Sequence, residues 1–204
     1  MKTWEIKDKL SIRKPGIIEV EEASAVLIPL VEKNGELCLL FEKRADQIRQ
    51  GGEICFPGGR MDKGESSERT VLREVEEELG LKPHLVTILG EFDTLHNYTG
   101  VTIHTVIGQI ANSDVENIIL QESEVAQTFL LPISFLLENE PYIHEFKVVA
   151  DIGEDFPYDM VDSAHKYNWY KGKSTIPIWN YEGYCLWGLT ARIVRHFLKS
   201  FFYE

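Results

Sequence analysis

Residues Gly59 to Leu81 read GRMDKGESSERTVLREVEEELGL, and this stretch decides the fold. Between Ser66 and Leu79 it holds neither glycine nor proline, and Val71, Val75 and Leu79 recur every fourth residue. That spacing predicts an amphipathic helix, which Gly80 and then Pro83 bring to an end. Inside it, four of the five residues from Glu74 to Glu78 are glutamates. At about 100° per residue, Val71, Leu72, Val75 and Leu79 share one sector, and Glu74, Glu77 and Glu78 share the next. Like charges at i, i+4 repel, so the run destabilises the helix unless something compensates it. Hard carboxylate oxygens crowded on one face are the donors that Mg²⁺ or Mn²⁺ takes, and such an ion would relieve the repulsion.

Working outward, Phe56-Pro57-Gly58-Gly59 predicts an irregular loop that bends tightly, and its glycines let main-chain carbonyls approach an ion closely. Ala23 to Leu30 and Leu37 to Phe41 flank the turn signal Lys33-Asn34-Gly35, which predicts a β-hairpin. Beyond the acidic helix, Leu85 to Phe92, Val101 to Ile110 and Val125 to Leu131 predict strands, the last leading through Pro132 into a short helix. Trp187 to Phe201 predicts a closing helix, with Leu189, Ile193, Val194, Phe197 and Leu198 at helical spacing. Hairpins mixed with helices, without regular βα alternation, predict an α+β chain: an α/β/α sandwich around a mixed sheet. No repeat, low-complexity tract or Gly/Ser linker divides the chain. Residues 1–204 are therefore expected to form one domain with a short N-terminal and a helical C-terminal extension. Residues Tyr142 to Trp179 are rich in aromatics and poorly periodic, which points to a homodimer contact or a substrate lid.

Composition narrows the function. With 44% apolar and 26% charged residues, the chain belongs with globular rather than disordered proteins. Its 33 acids against 21 bases give a net charge of −12, which argues against nucleic acid or anionic membranes as partners. The most apolar stretches, Phe129 to Leu137 and Leu186 to Leu198, are too short or too interrupted to cross a bilayer. Glu5 and Asp8 fall where a signal peptide needs apolar residues. Cys38, Cys55 and Cys185 lack CxxC spacing, so a reducing cytoplasm is the expected compartment. The scattered histidines have no metal-ligand spacing.

One pattern goes further. Gly59, five residues, Glu65, seven residues, Arg73-Glu74-Val75, one residue, Glu77-Glu78, one residue and Gly80-Leu81 together resemble a complete Nudix box. The resemblance implies the Nudix fold, with its loop-helix-loop, and a metal-dependent hydrolase of a nucleoside diphosphate linked to a further group. On that basis Glu74, Glu77 and Glu78 are the expected ligands of a catalytic Mg²⁺ or Mn²⁺, joined by carbonyls at Gly58 and Gly59. Glu65 and Arg73 form an ion pair that orients them. The base that deprotonates water is Glu78, or one of Glu122 and Glu124 in the loop before Val125, where some relatives place a catalytic glutamate.

The residues ahead of the box resemble those of a Nudix subfamily, the coenzyme A diphosphatases, through Leu39-Leu40, Arg44-Ala45, Ile48-Arg49, Gly52-Glu53 and Phe56 to Gly59. A threonine and a histidine of that pattern are missing, and the spacing differs by one residue on each side of Arg44 to Arg49. Trp187-Gly188-Leu189-Thr190-Ala191 matches the start of that subfamily's C-terminal helix. The implied reaction splits coenzyme A or an acyl-CoA into phosphopantetheine and adenosine 3′,5′-bisphosphate. Lys43, Arg44 and Arg49 are then the cations expected to read the 3′-phosphate. The alternatives are a broader diphosphatase acting on ADP-ribose, dinucleotides or modified nucleoside triphosphates, and a non-catalytic nucleotide sensor. A sensor usually goes with lost box glutamates, and none is lost here.

Overall fold

The structure, a computed structural model, describes residues 2–13, 17–18, 20, 22–161, 169 and 171–203. In chain order the elements are α1 (Thr3–Ser11), β1 (Ser24–Lys33), β2 (Glu36–Arg44), β3 (Ile54–Cys55), β4 (Gly58–Arg60) and α2 (Ser67–Leu79). There follow β5 (Val86–Glu91), β6 (Leu95–His96), β7 (Thr102–Ile110), α3 (Asn112–Val115), β8 (Val125–Pro132) and α4 (Ile133–Glu138). The chain ends with β9 (Tyr142–Val149), β10 (Lys171–Tyr181), β11 (Tyr184–Leu186) and α5 (Gly188–Phe201).

The β1–β2 hairpin closes through Asn34 and Gly35, both at positive φ, as a two-residue primed turn requires. The two strands then part. β1 pairs β2 only from Leu30 to Lys33; its earlier half pairs β4 on that side, while the far half of β2 pairs β3. The segment from β3 to β4 thus fills the split between two diverging strands. On the other side, β1 runs parallel to β7 from Ser24 to Leu30, and β8 runs antiparallel to β2. With β5 and β6 antiparallel to β7, the sheet is mixed.

Period-two alternation sorts its side chains onto two faces. Ala25, Leu27, Leu40, Val106 and Ile110 are buried with Val71, Val75 and Leu79 of α2. Ile28, Leu39, Phe41 and Ile107 are buried with Ile193, Val194, Phe197 and Leu198 of α5. This is the expected α/β/α sandwich. Helix α2 starts at Ser66, whose hydroxyl accepts the Arg69 N–H at 3.3 Å, and ends at Gly80 in the left-handed region with φ 67°.

Three local features differ from expectation. Phe56 and Pro57 join two short paired strands, and Gly58 and Gly59 belong to the second instead of lying in a free loop, because both edges of the split offer unpaired backbone groups. Residues 142–149 and 171–181 form an antiparallel pair, β9 with β10, extended by β11. Strand β9 is largely exposed, so it carries no alternating pattern to betray it. A dimer contact or lid in this segment falls partly on residues 162–168 and 170, which lie outside the described residues. Helix α1 buries no side chain, which is why apolar periodicity does not announce it. Among the described residues no helix is long and apolar enough to cross a membrane.

Candidate active site

The site lies where α2 passes over the split in the sheet. The Gly58 N–H donates to Glu78 Oε2 at 2.9 Å. Gly58 has φ 147°, and a Cβ there would collide with the Ala25 carbonyl of β1. A Cβ at Gly59 would collide with the Glu74 carboxylate. Gly58 is needed because the backbone of β1 leaves no room for a side chain there, while a side chain at Gly59 would push the Glu74 carboxylate aside.

Burial governs the charge state of these acids. Glu78 is only 5% exposed, and burial pushes its carboxyl up to about 8; the Glu74 and Glu124 charges add to this while the Gly58 N–H opposes it. Glu74 is also raised by burial, against the pull of Arg73. Glu77 stays at the solvent edge, its side chain 58% exposed.

Arg73 organises the helix face. Its Nη1 reaches Glu74 Oε1 at 2.7 Å and Glu77 Oε2 at 3.2 Å, and its Nη2 reaches the Arg60 carbonyl at 3.1 Å. Its Nε and Nη2 hold the two oxygens of Glu65 at 3.3 and 3.2 Å, a forked pair. Glu65 accepts further bonds from the Thr70 hydroxyl and the Asp62 N–H. Arg73, Asp62 and Thr70 hold its carboxyl down at about 2. Arg73→Ala is expected to weaken divalent-cation affinity about 10- to 100-fold, the usual penalty for losing an orienting partner. A Mn²⁺ titration of the variant checks this, and unchanged affinity would reduce Glu65 and Arg73 to surface charges.

Glu74, Glu77 and Glu78, expected on one helix face as the ligands, take different partners in the structure. Among the described residues, no three His, Cys, Asp or Glu side chains are gathered as a ready metal-binding set. The reason is visible: Arg73 draws Glu74 and Glu77 to itself, while Glu78 is tied beneath Gly58. The donors nonetheless suit a hard cation, being carboxyl oxygens beside glycine carbonyls, and acidic groups accumulate there.

A further buried acid is Glu42, which sequence reasoning missed. It lies on β2 with its side chain on the α2 face, two positions beyond Leu40, and is 1% exposed. Its Oε1 has no hydrogen-bond partner among the described residues. Burial, then the Glu78 charge, lifts its carboxyl well above the usual range, and Glu74 and Glu124 contribute. The available signal was period two: Cys38, Leu40 and Glu42 share a parity, which puts an acid on a core-facing row.

Of the two loop glutamates, Glu124 is the better placed. Backbone bonds from Ile119 and Gln121 to the Leu79 and Glu78 carbonyls, and from Ala45 to the Glu124 carbonyl, hold this loop against the end of α2. The Glu124 charge is felt at Glu42, Glu74 and Glu78. Glu122 is exposed and lends its carbonyl to Gln47.

The three expected phosphate-reading cations separate. Arg44 lines a cleft of about 430 Å³, with Cys55, Gly58 and Gly59 on one wall and Trp187 and Thr190 at the start of α5 on the other. Arg44 Nε donates to the Arg49 carbonyl at 3.2 Å, while the Arg49 side chain is exposed. Lys43, one residue along β2, points to the opposite face and lines a groove with Glu53, Tyr184 and Trp187.

A mixed sheet split by a glycine loop, roofed by a glutamate helix and backed by a second helix, defines the Nudix class of fold and site. Residues 21–151 match the NUDIX domain, and the chain belongs to the Nudix family. It is 37% identical over 123 residues to Nudix hydrolase 3 of Caenorhabditis elegans, covering 59% of this chain and 51% of that protein. It is 32% identical over 134 residues to the peroxisomal coenzyme A diphosphatase NUDT7 of Mus musculus, covering 65% of this chain and 55% of that one. The chain thus spans about half the length of these two relatives. The Nudix hydrolase NudL of Enterobacter sp. (strain 638) is 32% identical over 176 residues, covering 84% of this chain and 79% of NudL. Among solved structures, the Nudix hydrolase RenU of M. smegmatis aligns with a TM-score of 0.48 at 23% identity, over 57% of this chain and 73% of that one.

Proposed function

We propose that this chain is a Mg²⁺- or Mn²⁺-dependent diphosphatase whose substrate is coenzyme A or an acyl-CoA, cleaved to phosphopantetheine and adenosine 3′,5′-bisphosphate. The observation that carries the hydrolase reading is the pairing of Glu78 with Gly58 and the close approach of Glu74 to Gly59, which set two box carboxylates against two glycines that line one cleft. Glu74 and Glu78 are the inner ligands in this proposal, Glu77 stands at the solvent edge, and carbonyls at Gly58 and Gly59 complete the donors. When bound, a divalent ion supplies charge neutralisation at the phosphate oxygens and a more acidic water. Arg73 keeps Glu74 turned toward the loop. Glu124 takes the proton from the attacking water: it is exposed, beside the ligands, and tied to no box residue through its side chain. Glu78, buried and bonded to Gly58, is left to hold the ion.

Support for coenzyme A comes from the residues ahead of the box, from Trp187 to Thr190 lining the same cleft, and from the mouse relative, a coenzyme A diphosphatase. Arg44, which lines that cleft, is in this proposal the cation that meets the phosphate, ahead of Arg49 and Lys43. Dephospho-coenzyme A is then expected to show a kcat/KM roughly tenfold to hundredfold below that of coenzyme A, because a charge-assisted contact worth about 1.5 to 3 kcal/mol is lost. Arg44→Ala should shrink that ratio. The test is turnover of coenzyme A, dephospho-coenzyme A, ADP-ribose and NADH with Mg²⁺ or Mn²⁺, with products identified. Equal rates for the first two reject 3′-phosphate recognition, and faster ADP-ribose hydrolysis selects the broader diphosphatase. The free Cys38, Cys55 and Cys185 suit a reducing compartment such as the cytoplasm.

A further inference from the structure

We propose that Glu42 is a further carboxylate of the cation site, set behind Glu78 on the floor of the split sheet, and that a bound divalent cation compensates its charge. This rests on the metal-dependent reading above and adds to it a residue outside the box. The strand positions that share its face and precede it are Cys38 and Leu40, both apolar and buried. A leucine at position 42 would continue that row and pack against α2 without any polar atom to satisfy. Instead a carboxylate is 1% exposed with one oxygen unpartnered among the described residues, an arrangement that destabilises a fold when nothing compensates it. The surrounding charges worsen it. Glu78, Glu74 and Glu124 act on Glu42 with the same sign, and Arg44, the cation opposing them, also turns its Nε to the Arg49 carbonyl.

Position makes the link to the site specific. Glu42 lies opposite Cys55 of β3 in the β2–β3 register, and three residues later the chain reaches Gly58, which bonds Glu78. Glu42 therefore sits at the fork through which the glycine loop enters the sheet. A buried acid with an unpartnered oxygen, retained at such a point, is a sign of ligand binding rather than of packing.

The experiment compares the unmodified protein with Glu42→Gln, which keeps the shape and removes the charge. Mn²⁺ binding is followed by electron paramagnetic resonance and thermal unfolding is recorded with and without Mn²⁺. The expected result is a tenfold or greater loss of Mn²⁺ affinity, a smaller rise of the unfolding temperature on adding Mn²⁺, and a metal-free variant at least as stable as the parent. Unchanged Mn²⁺ affinity overturns the proposal. So does a variant that fails to fold or melts lower without metal, since the carboxyl would then be a structural part of the core. If the unmodified protein itself binds no Mn²⁺, the metal-site reading falls, and that outcome is distinct from a Glu42→Gln variant that binds like its parent.

Discussion

Glu78→Gln is expected to lower hydrolysis by about 100-fold or more, at or beyond the upper end of what losing an outer partner of a metal ligand costs, while the chain stays folded. Gln matches Glu in size, and its amide oxygen can still accept the Gly58 N–H that Glu78 accepts at 2.9 Å. What it removes is the ability of a carboxyl only 5% exposed, raised by burial to about 8, to ionise toward a bound cation. A buried carboxylate close to Glu42 and Glu74 opposes folding when no cation is present, so the metal-free variant should unfold at the parent's temperature or above it. The measurement is kcat at saturating Mg²⁺ alongside thermal unfolding. A Gln variant with full activity would remove Glu78 from the site, and one that is inactive because it is unfolded would make Glu78 a structural residue.

Chelation should have the other large effect. Excess EDTA is expected to abolish hydrolysis, and Mg²⁺ or Mn²⁺ to restore it, because in the proposed reaction the ion neutralises the phosphate oxygens and makes the water more acidic. A cation that binds only the folded chain at a hundred times its Kd stabilises it by about 2.7 kcal/mol. For a domain of this size that corresponds to a rise in unfolding temperature of roughly 5 to 10 °C. Arg73→Ala should need more cation to reach the same rise. Hydrolysis undiminished in EDTA rejects the metal-dependent reading outright, whichever substrate is used.

Local chemistry was legible wherever one element carried the whole signal. Val71, Val75 and Leu79 locate α2 because a helix repeats its buried face every three to four residues. Asn34-Gly35 locates the first hairpin because its two-residue turn needs two positive φ values. The Glu65–Arg73 pair is legible for the same reason: its members stand within the loop and helix of one continuous motif. Strand β9 was not legible, since its largely exposed positions erase the alternation that identifies a strand.

The sequence by itself determined the glutamate helix, the glycine loop before it, the α/β/α layering and membership of a family whose box is complete. Only the tertiary structure decided which of those carboxylates are buried and which charges meet. Lys43 and Arg44 are neighbours in the chain but project from opposite faces of β2, and Arg49 turns its side chain to solvent, so a sequence cluster becomes a single cation in the cleft. Glu42 and Glu78 stand 36 positions apart and come together because β1 and β2 diverge, the loop enters between them, and α2 crosses above. Burial and proximity between distant elements set the charge state of such a pair, and neither is written in the spacing of residues along one element.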